Sequence, residues 1–350
     1  MLDRRLAVAP MMDWTTRHVR YIMRLLSART LLYTEMIPVR AVIYGNPDEH
    51  LAFSPEERPL ALQLGGGDPE RLFQVTKIAC SYGYDEINLN IGCPSPRVEA
   101  GCFGASLMRN PSLVSECLSA MREAVSNFEQ SNMGGAHGNA GPVITAKSRI
   151  GVDDQDPQET FPQFVEVIRQ SNIPVLIVHA RKAILGGISP KHNRIIPPLD
   201  YDLVLEIQKM HPDLDVVING GIETLQAVQG FLQQGFKGAM IGRAVCKTPL
   251  SVLAGADRDI YNENVEYAEP MNVLTRLIPY VRTHIEKGVR LPQLIWYTSG
   301  LLRGHPMARL WRREIASLCA SSGASADDFA DFVNLWKVRL EEHSLVSTSV

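Results

Sequence analysis

From Leu6 to about Gly242, short runs of β-branched and aliphatic residues alternate with longer stretches of helical apolar spacing. Eight such runs stand out: Leu6–Ala9, Leu31–Glu35, Leu60–Leu64, Glu86–Leu89, Val143–Lys147, Val175–His179, Val216–Asn219 and Ala239–Gly242. Between them, capping side chains precede prolines at first helical turns, as in Asp68-Pro69-Glu70, Asn110-Pro111-Ser112 and Asp156-Pro157-Gln158. Eight strands with interleaved helices predict an α/β protein with a (β/α)8 TIM barrel. A doubly wound open sheet is the competing reading, weakened because no GxGxxG follows the first strand.

Two stretches break the rhythm. Ser126 to Gly141 is polar and glycine-rich without periodicity, and is expected to be a flexible surface insertion at 126–141 before the fifth strand. After Tyr261 only helical patterns remain, at Val273–Glu286, Leu291–Leu302, Ala308–Leu318 and Ala326–Glu342. The expected organisation is a barrel at 1–255 and an all-helical C-terminal domain at 262–343, followed by a disordered tail from Ser344 to Val350.

The chain has 350 residues, 45% hydrophobic and 21% charged, which excludes disordered, collagenous and coiled-coil classes. Its net charge of −3 argues against a wholly basic nucleic-acid coat. The local picture differs: between Arg276 and Arg313 there are eight Lys/Arg residues and one acid, Glu286. Such a face suits RNA phosphates, with Arg303, Arg309, Arg312 and Arg313 as candidates, although a solvated helix face would look the same. No run approaches the roughly 18 apolar residues of a membrane span. The six cysteines are scattered without a CxxC pair, so they read as reduced thiols, neither disulfides nor metal ligands. A cytoplasmic or similarly reducing compartment is expected.

In a (β/α)8 barrel the site is built where strands end, and here nearly every strand ends in a polar or glycine-rich group. These are Pro10-Met11-Met12, Glu35, Gln63, Asn90 with Cys93, Lys147, His179, Asn219-Gly220-Gly221 and Gly242-Arg243. Glycines in the last two loops let backbone N–H groups approach an anion, the usual phosphate seat of these barrels. Lys147 is placed to pair with an anionic ring or an oxyanion, or else with Glu35. The fourth loop holds Cys93 and Cys102. A cysteine near its reference pKa of about 8.5 is mainly thiol at neutral pH and can donate a proton; nucleophilic catalysis with His179 as base stays open.

The runs APMMDWTTRHVRY, TEM, LALQLGG, INLNIGCPSPRVEAGCFGASLM, KSRIGVDDQD, IVHARKAILGGISPKHNRIIPPLDYD, VINGGIET and MIGRAV resemble those of the flavin-dependent tRNA-dihydrouridine synthases. The segment from His179 to Asp202 and GLLRGHPMARLWRR are similar to the A-type subgroup, which acts on uridines 20 and 20a of the D-loop. The resemblance implies FMN on Pro10, Met11 and Met12, held by Gln63, Lys147, His179, Asn219, Gly220, Gly221, Gly242 and Arg243. It further implies hydride transfer from flavin N5 to uracil C6, a proton from Cys93 to C5, and NADPH as electron donor. Asn90, Lys191 and Arg194 match positions around the target base and tRNA. Two features depart from the family pattern: the length of the 126–141 insertion and the presence of Cys102. The alternative is an FMN barrel reducing a free pyrimidine or another enone-like molecule, which needs no basic helices. A monomer without a metal site is expected.

Overall fold

The computed structural model describes residues 2–132 and 140–347. By contacts the chain forms two units, one comprising residues up to Thr16 with Thr30–Gly242, the other Arg17–Arg29 with the residues from Arg243 onward.

The first unit is an all-parallel sheet closed on itself. Its strands are β1 (Leu6–Val8), β2 (Leu32–Pro38), β3 (Leu60–Gly65), β4 (Glu86–Ile91), β5 (Val143–Arg149), β6 (Val175–His179), β7 (Asp215–Asn219) and β8 (Gly238–Ile241). They pair in chain order, and β8 returns to pair with β1. Between β1 and β2 the ring is closed by a bridge from Ala7 to Leu31, where the Val8 N–H donates to Leu31 O at 2.9 Å and the Leu31 N–H to Leu6 O at 3.1 Å. The expected (β/α)8 barrel is therefore observed, and the open sheet is excluded.

Alternation along each strand explains the layering. Leu62 and Leu64 of β3, Ile87 and Leu89 of β4, and Leu176 and Val178 of β6 are fully buried on the helix-facing side. The opposite positions fill the barrel, where Ala7, Tyr33, Ala61, Val175, Ile177, Val217 and Met240 form one apolar cluster. Helix starts follow their caps. The Asp68 carboxylate accepts from the Arg71 N–H at 3.0 Å to open Pro69–Cys80, and Asp156 accepts from the Gln158 N–H at 2.9 Å to open Pro157–Gln170.

Three expectations are corrected. The helix after Asn110 runs to Asn132, so Ser126 to Asn132 of the expected insertion is regular helix. Glu129 and Gln130 are good helix formers, and a solvated face tolerates polar residues without apolar periodicity. Glu129 also accepts from the Gly141 N–H at 2.8 Å. The rest of that expectation, at 133–139, lies outside the described residues. The final helix extends over Ala326–Ser347, so the start of the expected disordered tail is helical, while 348–350 lies outside the described residues. The stretch Leu291–Leu302 is not one helix but Leu291–Ile295 followed by a 3₁₀ turn at Trp296–Gly300. There the Thr298 carbonyl accepts the Trp311 indole N–H at 3.0 Å, taking it out of an α-helical ladder.

The second unit is helical. Helix Arg17–Leu26, which the βα rhythm assigns to the barrel, groups here instead. The Tyr21 ring stacks on Tyr280 of helix Pro270–Glu286 at 3.8 Å, and the Tyr280 hydroxyl lies 2.8 Å from His18 Nδ1. Trp311 of helix Ala308–Ala320 meets Trp336 of the last helix edge-on at 5.0 Å, and both are fully buried.

Candidate active site

The barrel interior is not apolar throughout. On β3, β4 and β5 the inward positions include the polar side chains of Gln63, Glu86, Asn88, Asn90 and Thr145, all buried. They are hydrogen-bonded to one another, as buried polar groups require. Glu86 sits at the N-terminal end of β4 with the Arg4 guanidinium 2.8 Å away. Asn90 lies one residue before the strand's end, and its Oδ1 accepts the backbone N–H groups of Gly92 and Cys93 at 3.1 and 3.0 Å.

Those two bonds start the fourth loop and place Cys93. The loop folds back so that the Ala105 N–H donates to Cys93 O at 3.0 Å. Gly104 adopts φ +72°, and a Cβ there would lie 2.6 Å from Cys93 O, so glycine permits the approach. Cys93 is partly buried. Burial pushes its thiol above the ordinary range, opposed first by a hydrogen bond with the Ser95 backbone and then by Arg149, Lys147 and Arg194, so at neutral pH it carries its proton. Cys102 is exposed, at φ +56°.

Around the thiol stand cations. Lys147 reaches Asn219 Oδ1 at 3.1 Å rather than Glu35, and Asn219 Nδ2 in turn donates to Met240 O at 2.8 Å. Burial, then the nearby Arg149, lowers Lys147 to about 7, so an anion in the mouth would favour its charged form. Burial and the same cations keep His179 neutral, able to offer one N–H and one acceptor. Gly220, at φ +116°, passes so close to the imidazole that a Cβ would lie 2.7 Å from His179 Cδ2. Gly221 follows at φ +67°, and Tyr201 donates to Gly220 O at 2.5 Å. Gly242 follows β8 directly, beside Ala9 and Met11. The turn after β1 is tied by Thr15, whose hydroxyl accepts the Met11 N–H at 3.0 Å, leaving Met12 56% exposed.

Sequence reasoning missed Arg149, Asn88 and Arg181. The Arg149 guanidinium is 3% exposed and donates to Gly92 O at 3.2 Å and to Lys182 O and Asn193 O at 3.1 Å each. It therefore ties the Cys93 loop to the loop after β6. The signal was present, because Lys147 and Arg149 are two apart on a strand and share a face. Glu35 is inside β2, at a register shift between Tyr33 and Met36, and accepts the Asp13 N–H at 2.5 Å. Buried Asn193 exchanges two hydrogen bonds with the Ile184 backbone, at 2.7 and 2.8 Å, and so leaves Lys191 and Arg194 exposed on the same loop.

Thus Gln63, Asn90, Cys93, Lys147, His179, Asn219 and Gly220 are gathered by the first unit at the C-terminal ends of its strands. Arg243, Arg303, Arg309 and Arg312 belong to the second unit and are exposed. On helix Ala308–Ala320, Ala308, Trp311 and Ile315 are buried while Arg309, Arg312 and Arg313 take the solvent face. Among the described residues, no group of three or more His, Cys, Asp or Glu side chains is placed to share a metal ion, and no helix is long and apolar enough to cross a membrane.

A parallel barrel whose mouth joins a protonated thiol, a desolvated lysine, a neutral imidazole and glycine turns after its seventh strand offers groups chemically able to hold an anion and to give up a proton. The sequence is more specific: the dihydrouridine synthase (Dus) family model matches residues 7–334, and the chain belongs to that family. It is 45% identical over 321 residues to the tRNA-dihydrouridine(20/20a) synthase of Shigella flexneri, covering 91% of this chain and 89% of that protein. Proteins of the same name from Escherichia coli strain K12 and Synechocystis sp. are each 44% identical, with 91% of this chain covered and 88% and 91% of theirs. Among solved structures the fold is similar to that of the DHODH of Eimeria tenella in complex with ferulenol, with a TM-score of 0.51 over 77% of this chain and 84% of that one. At 12% identity that likeness concerns the fold alone.

Proposed function

We propose that the protein reduces the 5,6 double bond of uridine at positions 20 and 20a of the tRNA D-loop, with FMN as cofactor and NADPH as electron donor. The observation that carries this reading is Cys93: a thiol held protonated by burial, anchored through Asn90, and facing three cations in the mouth of a barrel of this family.

The donor set suits a flavin mononucleotide. Lys147 is a cation stripped of water, the state that gains most from an anionic ring. Gln63, Asn219 and neutral His179 supply directional hydrogen bonds, Pro10 to Met12 a backbone platform, and Gly220, Gly221 and Gly242 the phosphate seat. When bound, the flavin supplies the hydride that reaches C6 of uracil.

The chain's own residues do the rest. Negative charge builds on the uracil as C6 gains its hydride, and Cys93 Sγ gives its proton to C5, which completes the single bond. The thiolate left behind is stabilised by Arg149, Lys147 and Arg194 until it recovers a proton from solvent. Asn90, Lys191 and Arg194 serve the target nucleotide and its backbone. A uridine stacked in folded tRNA must be extruded to reach the barrel, so binding energy from phosphates elsewhere is required. Arg309 and Arg312 on the solvent face of helix Ala308–Ala320, and Arg303 in the turn before it, fit that task because they are exposed with few acids nearby in sequence.

The test is mass-spectrometric mapping of tRNA from a dihydrouridine-free strain after incubation with protein and NADPH. A gain of two hydrogens at position 20 or 20a is expected. No gain from protein shown to carry reducible flavin overturns the tRNA assignment in favour of a free enone-like substrate.

A further inference from the structure

A file of buried side chains runs through the barrel from its floor to the loop of Cys93. At the floor, Glu86 is in contact with the Arg4 cation and takes hydrogen bonds from the hydroxyls of Tyr33 and, at 2.6 Å, Thr145. Thr145 Oγ1 receives Asn88 Nδ2 at 2.9 Å, and Asn88 Oδ1 receives Gln63 Nε2 at 2.8 Å. Gln63 Oε1 receives Asn90 Nδ2 at 2.8 Å, and Asn90 Oδ1 receives the N–H groups of Gly92 and Cys93.

The two ends of this file fix its direction. A carboxylate paired with arginine only accepts, and backbone N–H groups only donate. Thr145 has one hydrogen, spends it on Glu86, and must therefore accept from Asn88. That choice turns the Asn88 oxygen to Gln63, the Gln63 oxygen to Asn90, and the Asn90 oxygen to the Cys93 backbone. Each carboxamide, which alone is free to flip, has one orientation that agrees with both ends.

We infer that Glu86, Thr145 and Asn88, none of which reaches the barrel mouth, are positioning residues that set the amide orientation of Gln63 and Asn90 and thereby hold the Cys93 loop. The geometric part stands on the hydrogen bonds alone, and its consequence for turnover rests on the reaction proposed above. In that reading the file presents the second N–H of Gln63 to the cofactor and keeps the proton donor in register with the base.

Thr145→Val tests this, because it removes the hydroxyl at nearly constant volume and cuts the file between Glu86 and Asn88. The holoprotein is treated with iodoacetamide, and alkylation of Cys93 is followed by peptide mass spectrometry, with Cys102 as internal reference. Cys93 should react about fivefold faster, the order expected when one hydrogen bond of an anchor is released. Thr145→Ser should restore the parental rate. Ile144→Val, on the same strand but facing the helices, should leave it unchanged despite a comparable loss of stability. In tRNA turnover, kcat should fall in Thr145→Val with KM for tRNA unchanged. Should Thr145→Val not fold, Asn88→Ala cuts the file from the other side and carries the same expectation. An unchanged or slower Cys93 rate in the cut variant overturns the inference, as does an equal acceleration in Ile144→Val. If no variant and no parent protein forms dihydrouridine, the proposed reaction fails, and the alkylation rates still decide the positioning role.

Discussion

Replacing Lys147 with methionine should make the cofactor-free protein more stable near neutral pH while removing its activity. Burial lowers this lysine from 10.5 to about 7, so between those values the unfolded chain binds a proton that the folded chain does not. Stability of the parent therefore rises with pH across that window, and the cost of keeping the charge is largest below it. Worked through linkage, the native lysine costs about 4 kcal/mol at pH 7 and about 1 kcal/mol at pH 10. Methionine removes that cost but leaves Asn219 Oδ1 without its donor, a penalty of about 1–3 kcal/mol at either pH. The net gain near pH 7 is about 1–3 kcal/mol, and it should fall by about 3 kcal/mol at pH 10. Urea unfolding of stripped parent and Lys147→Met, followed by far-UV circular dichroism at both pH values, measures the gap. A gap that does not change with pH refutes the reasoning, because the Asn219 penalty and the added packing of methionine are both independent of protonation.

Other expectations follow from the same geometry. Cys93→Ala should retain flavin and tRNA binding while dihydrouridine formation collapses, whereas exposed Cys102→Ala should change little; equal losses in mapped product would remove Cys93 as the proton donor. Alkylation of Cys93 should keep accelerating with pH through the ordinary thiol range and level off only above it, since burial raises its pKa, and a rate that levels off near neutral pH would contradict that. Removing Arg309 and Arg312 together should weaken tRNA binding and lower the slope of log K against log salt by about 1.5, with flavin occupancy unchanged; an unaltered slope in filter binding places the RNA contacts elsewhere. Gly238→Ala drives a Cβ to 2.0 Å from Arg4 O, where β8 meets β1, and should lower the urea midpoint by an amount equivalent to about 1–3 kcal/mol or more.

The barrel was legible because a buried strand and an amphipathic helix leave different periods in the sequence, and all eight strands appear where the pattern puts them. The site was legible in part. His179 and Asn219 end their strands and Lys147 lies two residues before the end of β5, and that placement alone marks them in this fold. Asn88 and Glu86 were not found, since a polar residue in the middle of a strand or at its start reads as a weak strand or a strand boundary rather than as a member of a barrel-spanning file. The helix at 126–132 was missed because a solvated polar helix has no apolar stripe to count. Helix Arg17–Leu26 was assigned to the barrel by its place between two strands, a rule that says nothing about which neighbour its apolar face selects.

That helix also bears on how the molecule can be taken apart. Its chain segment leaves the barrel after β1 and returns to begin β2, so the helical unit is stitched from two stretches of sequence separated by more than two hundred residues. A fragment beginning at 262 would lack Tyr21 against Tyr280 and His18 beside its hydroxyl. Exchanging the helical unit between relatives therefore means exchanging residues 17–29 together with everything from 243 onward. A chimera joined at a single point mixes half of one interface with half of another.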